Sequence, residues 1–600
     1  MNMHAARLEY LRAASADVLR RHWGALAAAS AMALIVASPL IAFPLYAGDA
    51  YNGINILHFG NDQHYYLTRG KEALEGHSLG QPFLAEGKEA QDPTFSYADM
   101  VVLAPARILG LSERVDIVSY YNVLNTLAIF VLVLMIYALA LRLSGDRVLA
   151  LASALFVVGG YAIIEAKTVF YGNFDVYGRS LFPFASSIPM FGFLIALHDA
   201  LLARSRRALL LAGALAGALC YVYFFAWTFA FALLAALGFI YLLSRDWTSL
   251  KSVCIAGGIG ALIGSYNIAQ LLLFHASPIG AQLAFFYASV QSHLPLMSKI
   301  GLGTTLLTLL VAWRKGWTRE MPFVLGIILA GWIALNQQVI TGRLIQYGHY
   351  YWYFIVPFSV VIGAYLFGKA LPHRFRRMFA YGLIALAFVN VSGQQFRAFF
   401  GDTLQFRLRE QTYAPILAAL KNEPKGAVLA GAGGESYTFL ITIYTSHDLY
   451  WIPAAEIHVF PADRLLEALE VHLFLNREAR ADPVAYLESK LSERPRNNEY
   501  VYLYEELEGL RSGLDYYAYQ RALAAGETSF GGLRERLLRD VETRYKAEFS
   551  ERRISALLKE RGVRYVLWDA EFYPEWDLSP LGRLTALARS GPLTLYRLED

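Results

Sequence analysis

Charge is what this chain has least of. Only 17% of its 600 residues are Asp, Glu, Lys or Arg, against 56% hydrophobic and 14% aromatic. Soluble domains carry roughly 25% charged residues. So little charge, with a mean hydropathy of +0.36, excludes a disordered or multidomain soluble protein and requires a lipid-embedded one. Cysteine is nearly absent. Cys220 and Cys254 both fall in apolar runs, which excludes a disulfide scaffold and a Cys-based metal centre. Internal repeats are missing, as are a P-loop, GxSxG, HExxH and CxxC. The run Gly431-Ala432-Gly433-Gly434 lacks the rest of a dinucleotide fingerprint.

What is present is a series of apolar runs of membrane-crossing length. Eleven are expected, near 23–46, 119–142, 147–167, 182–203, 207–222, 224–243, 250–274, 300–313, 321–339, 351–370 and 378–396. The fifth and sixth divide one long run, and the eighth is short. The first lacks a cleavage site and reads as a retained anchor. Charge then orients them. Alternate loops collect eighteen cations, from Arg7, Arg12, Arg20 and Arg21 to Lys369, Arg374, Arg376 and Arg377. The short opposite loops carry mainly Lys167, Arg179, Lys299 and Arg343. The positive-inside rule makes the N-terminus cytoplasmic, and an odd number of spans puts the tail outside. This basic excess is an orientation signal, so no nucleic-acid partner is expected.

Two outer regions stand apart. The loop 47–118 holds ten of the eighteen acids in the first 400 residues, with a short helix expected over 63–76 and an apolar, surface-lying one over 98–110. The tail, 410–600, is acidic. Its strand-like runs Ala427–Ala430, Leu449–Pro453, Tyr500–Tyr504, Val563–Asp569 and Leu593–Leu598 alternate with helical stretches at 461–475, 533–548 and 553–561, which predicts a small α/β domain. The expected architecture is an α-helical polytopic membrane protein with a membrane part over 1–400 and a C-terminal soluble α/β domain over 410–600.

Candidate chemistry gathers at the outer ends of the spans. Asp62 opens the helix Gly60-Asn61-Asp62-Gln63-His64-Tyr65-Tyr66, and helical spacing puts Asp62, Tyr66 and Arg69 near one face. Asn61 or Asp62 is also a good N-cap for a helix beginning at Gln63. Glu165 sits at the outer end of the third span, where an acid is expensive unless paired. Asp175 follows it in the same loop, with Lys167 and Arg179 as partners for either acid or for a phosphate. The segment Asn336–Trp352 brings Gln338, Arg343 and His349 among aromatics and without an acid, a rim suited to phosphate and sugar hydroxyls or to an interfacial belt. The aromatic runs Tyr221–Trp227 and Phe285–Tyr287 read as belt or lipid groove.

A basic N-terminus, one span, then a long outer loop beginning Asn61-Asp62-x-x-Tyr65-Tyr66-Leu67 resembles the GT-C glycosyltransferases, polytopic enzymes that use polyprenyl-linked sugars. The resemblance covers the first four spans best. It implies an inverting transfer from a polyprenyl-phosphate or polyprenyl-diphosphate sugar to a glycan, lipid or protein acceptor on the outer, periplasmic face. Asp62 would be the base, with Tyr66, Arg69, Glu165, Arg179, Gln338, Arg343 and His349 around donor and phosphate. No cofactor is required by this reading. Asn61 stands where some members carry a second acid, which leaves a divalent metal on Asp62 and His64 open. A lipid-linked-sugar transporter or an envelope glycan assembly protein is the alternative, although a transporter is expected to place its polar groups at mid-membrane.

Overall fold

The computed structural model describes the chain apart from residues 1, 58–60, 113, 173–178, 180, 288, 402, 432–436, 494–497, 550 and 600. Asp175 therefore lies outside the described residues, as does most of the Gly431–Gly434 run. Every one of the eleven apolar runs is helical. Among the described residues, seven spans are long and apolar enough to cross a membrane: Arg20–Ala50, Ile117–Ser144, Phe184–Leu202, Phe224–Leu243, Trp247–His275, Met321–Thr341 and Gly348–Ala370. The expected count of eleven is met in helices but not in spans of that quality. Arg147–Gly159, Arg206–Leu219 and Lys299–Lys315 have only 13, 14 and 17 residues. His373–Phe400 has the length but opens with HRFRR and ends on a polar turn. Lys299–Lys315 and His373–Phe400 nonetheless keep Leu306, Trp313, Met378 and Phe396 more than half exposed, so they too turn apolar surface outward.

The long run 207–245 does break into two helices, at Cys220–Tyr223. The first half packs on Trp247–His275 through small residues. A Cβ on Gly213 or Gly217 would collide with Ile259 or Ile263, and one on Gly264 with the Cys220 sulfur. Small residues four apart on both helices let the backbones approach, the usual device where lipid supplies no hydrophobic drive. At one end of the bundle three of the scarce acids are paired with arginines. Arg142 makes a two-pronged contact with Asp199 at 2.9 and 3.0 Å, Arg376 meets Asp146 at 3.1 Å and Arg204 meets Asp246 at 3.6 Å. Asp146 and Asp246 also cap the helices that follow them, which neutralises exposed N–H groups at helix starts.

At the other end the first loop and the tail fold together. The loop forms the helices Asn61–Glu75 and Ala98–Ile108, as expected. Val101, Ile108 and Leu109 of the second are 68%, 82% and 70% exposed, an apolar face with no protein over it. The tail begins with the helix Leu404–Lys421. Its Gln411 side chain accepts from the N–H groups of Asn52 and Ile54 and donates to the Ile54 carbonyl at 2.8 Å. Arg407, 2% exposed, donates to the Ile56 carbonyl at 2.8 Å and lies 3.6 Å over the Phe399 ring. Burial lowers its pKa to about 10, with Glu410 opposing, so it stays charged at neutral pH.

The tail sheet comprises β3 (Ala427–Leu429), β4 (Asp448–Leu449), β5 (Val563–Asp569), β6 (Leu584–Ser590) and β7 (Leu593–Leu598), in the order β4-β3-β5-β7-β6. β3 runs parallel to β4 and β5, whereas β7 is antiparallel to both β5 and β6. A separate two-stranded ribbon, β1 (Ser289–Gln291) with β2 (Arg343–Ile345), lies in the loops between helices. Two sequence expectations fail. Tyr500–Tyr504 is helical, within Glu499–Ser512, because Asn498 caps it and Gly513 ends it in the left-handed conformation. Its buried positions Tyr500, Val501, Tyr504, Leu507 and Glu508 follow a helical rather than an alternating period. The run Leu449–Pro453 is a strand only at its start, since Pro453 opens a 3-10 turn. The strand β6, half-exposed along its length, was not anticipated.

One pair of acids in the tail is buried together. Glu456 in the 3-10 turn accepts from Tyr502 Oη at 3.2 Å, with Glu506 close by on the helix Glu499–Ser512. Burial pushes Glu506 up to about 7 from 4.5, and burial with the neighbouring Glu506 charge raises Glu456 well above its ordinary value. A carboxyl whose folded pKa is raised binds its proton more tightly when folded, so its contribution to stability falls as pH rises from about 4.5 through 7. Glu506→Gln is expected to flatten the loss of apparent melting temperature between pH 5 and pH 8, measured by thermal unfolding in detergent.

Candidate functional site

The start of the helix Asn61–Glu75 is held from below. His64 is fully buried, with Nε2 3.5 Å from Glu410 and its ring stacked on Phe439 at 5.8 Å. Thr68 meets Thr442 at 2.9 Å. With that face anchored on the tail, the opposite face turns outward. Asp62, in the first turn, keeps 62% of its side chain exposed and has Oδ2 2.7 Å from an Arg179 nitrogen. The N-cap assignment for Asp62 therefore gives way, because the helix already begins at Asn61.

Arg179 also donates to Tyr353 Oη at 3.2 Å. Burial works against its charge, but the Tyr353 phenol, the Asp62 carboxylate and Tyr66 outweigh it and hold its pKa above the ordinary value. The guanidinium is a permanent cation. Tyr66 packs edge-on to Phe182 at 5.4 Å, and Phe182 stacks on Tyr223 at 4.8 Å. Tyr223 Oη in turn lies 2.8 Å from His349 Nδ1. Burial, reinforced by Asp62, raises the Tyr66 phenol well above its usual pKa, so it remains a proton donor. Beside this group, Trp352 donates its indole N–H to Glu165 at 3.1 Å. The result is an accessible carboxylate and an invariantly charged guanidinium, walled by phenols and rings.

Of the residues expected from sequence, Asp62, Tyr66, Arg179 and His349 come together, and Glu165 joins through Trp352. Three others are placed elsewhere. Arg69, 2% exposed, spends its guanidinium on Asp99 at 3.1 Å, Asp92 at 3.0 Å and Tyr65 Oη at 3.1 Å. The helical spacing that put it near Asp62 ignored its neighbours in the same loop. Gln338 is buried and donates to the Leu294 carbonyl at 2.9 Å, latching one outer loop to another. Arg343 is exposed on β2, opposite Gln291. Tyr223 and Tyr353 were missed. Tyr223 belongs to a run that read as an interfacial belt, and its only local signal was the break between two helices at that point.

The metal reading of Asp62 and His64 meets an obstacle in the same geometry, because one is exposed and the other fully buried on the tail side. Among the described residues one cluster has metal-like spacing, Glu72, Glu75 and His77 within 4.8 Å. Cations already hold its carboxylates: Lys88 lies 2.9 Å from Glu72 and Lys71 2.6 Å from Glu75.

The fold and this site define a polytopic α-helical membrane protein with an acid–arginine pair between its first long loop and its bundle. No protein-family model matches the chain, and no curated protein does. Among solved structures it is similar to the crystal structure of ArnT from Cupriavidus metallidurans bound to undecaprenyl phosphate. That match has a TM-score of 0.46 and 12% identity, over 94% of this chain and 97% of that chain.

The two arginines of the helix Asn61–Glu75 and its facing loop should separate in experiment. Arg69→Ala leaves Asp92 and Asp99 buried without a cation, a loss expected to cost about 3–5 kcal/mol. Arg179→Ala opens a half-exposed pair worth far less. Apparent melting temperatures of the two variants in detergent check the order, with only Arg69→Ala falling well below wild type.

Proposed function

We propose that the protein is a membrane glycosyltransferase of the GT-C kind, which moves a sugar from a polyprenyl-phosphate or polyprenyl-diphosphate donor to an acceptor at the outer face. The observation that carries this reading is the exposed Asp62 carboxylate paired to Arg179 at 2.7 Å at the outer end of the bundle. A sugar on a phosphate is already activated. The protein must supply a base for the acceptor hydroxyl and a cation for the departing phosphate. Asp62 has one oxygen engaged by Arg179 and most of its side chain open to an acceptor. Arg179 offers a fork suited to two phosphate oxygens, and the Tyr353 and Tyr66 phenols beside it are further donors. Displacement at the anomeric carbon in a single step inverts it.

The surroundings favour the same assignment. The segment Gly348–Ala370, which carries His349 and Tyr353, also supplies Phe354 and Phe358 to a small apolar pocket with Phe229, Ile327 and Trp332. Glu165 is expected to act through Trp352 as a positioning group. Residues Arg142, Arg204 and Arg376 mark the cytoplasmic end by the positive-inside rule. The first loop and the tail then lie on the periplasmic or extracellular side of a plasma membrane. A divalent metal is not required by this scheme.

The test is sugar transfer from a panel of radiolabelled polyprenyl-phosphate sugars in proteoliposomes. Asp62→Asn keeps the shape and removes the base, and turnover is expected to fall about 10²–10⁴-fold with the melting temperature unchanged. Equal turnover by wild type and variant would dismiss Asp62 as base and move attention to Glu165.

A further inference from the structure

Two loops meet at the end of the bundle away from Arg142, Arg204 and Arg376, and amide side chains lace them together. One precedes the helix Lys299–Lys315, and the other joins the spans Met321–Thr341 and Gly348–Ala370. Asn336 accepts from the Leu296 N–H at 2.6 Å, and Gln338 donates to the Leu294 carbonyl at 2.9 Å. Gln337 donates to the Arg343 carbonyl at 2.8 Å. Gly342 turns the chain in the left-handed conformation, and a Cβ there would come within 3.1 Å of the His293 ring. His293 Nδ1 lies 3.1 Å from the Val339 carbonyl oxygen, and the ribbon of β1 and β2 continues the pairing. These contacts fix the two loops against each other.

The surface they form is apolar and cationic. Leu294, Met297 and Ile340 are 74%, 71% and 89% exposed, and Val339 and Tyr347 are exposed as well. In each loop the apolar residues are followed by an exposed cation, Lys299 in the first and Arg343 in the second. No acid stands between them. From Trp247 to Gly401 the sequence holds only Glu320, which precedes the helix Met321–Leu335 at its opposite end. Asp515 of the tail reaches the ribbon, but its carboxylate accepts from the N–H groups of Gln291 and Ala518 at 3.4 and 2.7 Å. Lys299 also stands in the first turn of its helix, where free N–H groups favour an anion and disfavour a cation. A cation in that place calls for negative charge from outside the chain.

We infer that this surface docks anionic phospholipid. Its apolar side chains enter the leaflet beside the spans, and Lys299 and Arg343 take the headgroup phosphodiesters. Continuity with the ends of Met321–Thr341 and Gly348–Ala370 puts the patch where acyl chains meet headgroups, the level at which long basic side chains settle. A zwitterionic leaflet would cover the apolar residues equally well but would return no net charge to the two cations. Arg343 adds a fork that fits two phosphate oxygens. The surface is separate from Arg179, which Asp62 and Tyr353 hold, and lipid binding here does not depend on the transferase reading.

The experiment places the full chain in phosphatidylcholine nanodiscs with a trace of photoactivatable phosphatidylglycerol or photoactivatable phosphatidylcholine. Cross-links are mapped by peptide mass spectrometry. The phosphatidylglycerol probe is expected to label 291–299 and 339–347 more strongly than the phosphatidylcholine probe, and added unlabelled phosphatidylglycerol should displace it. Lys299→Gln and Arg343→Gln, both at exposed positions, should each weaken the binding about fivefold, the scale of one cation near an anionic surface, with melting temperatures unchanged. Equal labelling by the two probes, or binding unaltered in either variant, would overturn the inference. Displacement by polyprenyl phosphate at concentrations where phosphatidylglycerol has no effect would assign the surface to the donor lipid and overturn it too.

Discussion

A single buried guanidinium joins the three parts of this molecule. Arg407 caps the end of the last bundle helix through Phe399, belongs to the first helix of the tail, and holds the Ile56 carbonyl at the entry of the first loop. Burying a cation is costly without compensation. Here a ring face, a carbonyl and the nearby Glu410 supply it, so these segments can occupy only one arrangement. The position of Asp62 follows from that arrangement. The next turn of the same tail helix offers Glu410 to His64, which fixes the inner face of the helix Asn61–Glu75 and leaves its outer face toward the bundle.

Within the first loop a second buried cluster does comparable work. Arg69, Asp92 and Asp99 with Tyr65 and Tyr121 tie the two loop helices to the span Ile117–Ser144. It is a polar knot set among the buried apolar side chains Leu67, Phe83 and Leu103. Such networks specify geometry when every member is satisfied. The catalytic group proposed here therefore depends on residues that never touch a substrate.

Legibility from sequence divided along a physical line. Helices were legible because membrane-length apolar runs are a strong signal, and Asp62 was legible because an acid at the outer end of a span needs a reason. Arg179 was one of few outer cations, which made it conspicuous. Properties that depend on long-range packing were not legible. Arg69 lies two helical turns from Asp62 yet is consumed by two acids further along its own loop. Tyr223 and Tyr353 are two of 38 tyrosines, and only the folded bundle shows which phenols meet Arg179. Tyr500–Tyr504 alternates well enough for a strand, but Asn498 and Gly513 place helix ends around it.

The partnership of loop and tail also constrains biosynthesis. Gln411 reaches back 357 residues to Ile54, and β4 hydrogen-bonds the loop backbone at Phe83. A ribosome inserting this chain delivers the loop to its side of the membrane long before its partner helix exists. The loop must wait, with its polar cluster unsheltered, until every later span has been threaded. Contacts this distant in sequence close slowly, and the interval belongs to whatever folding factors work on that side of the membrane. Premature termination after the last span would strand a bundle whose outer face has no folded loop to complete it.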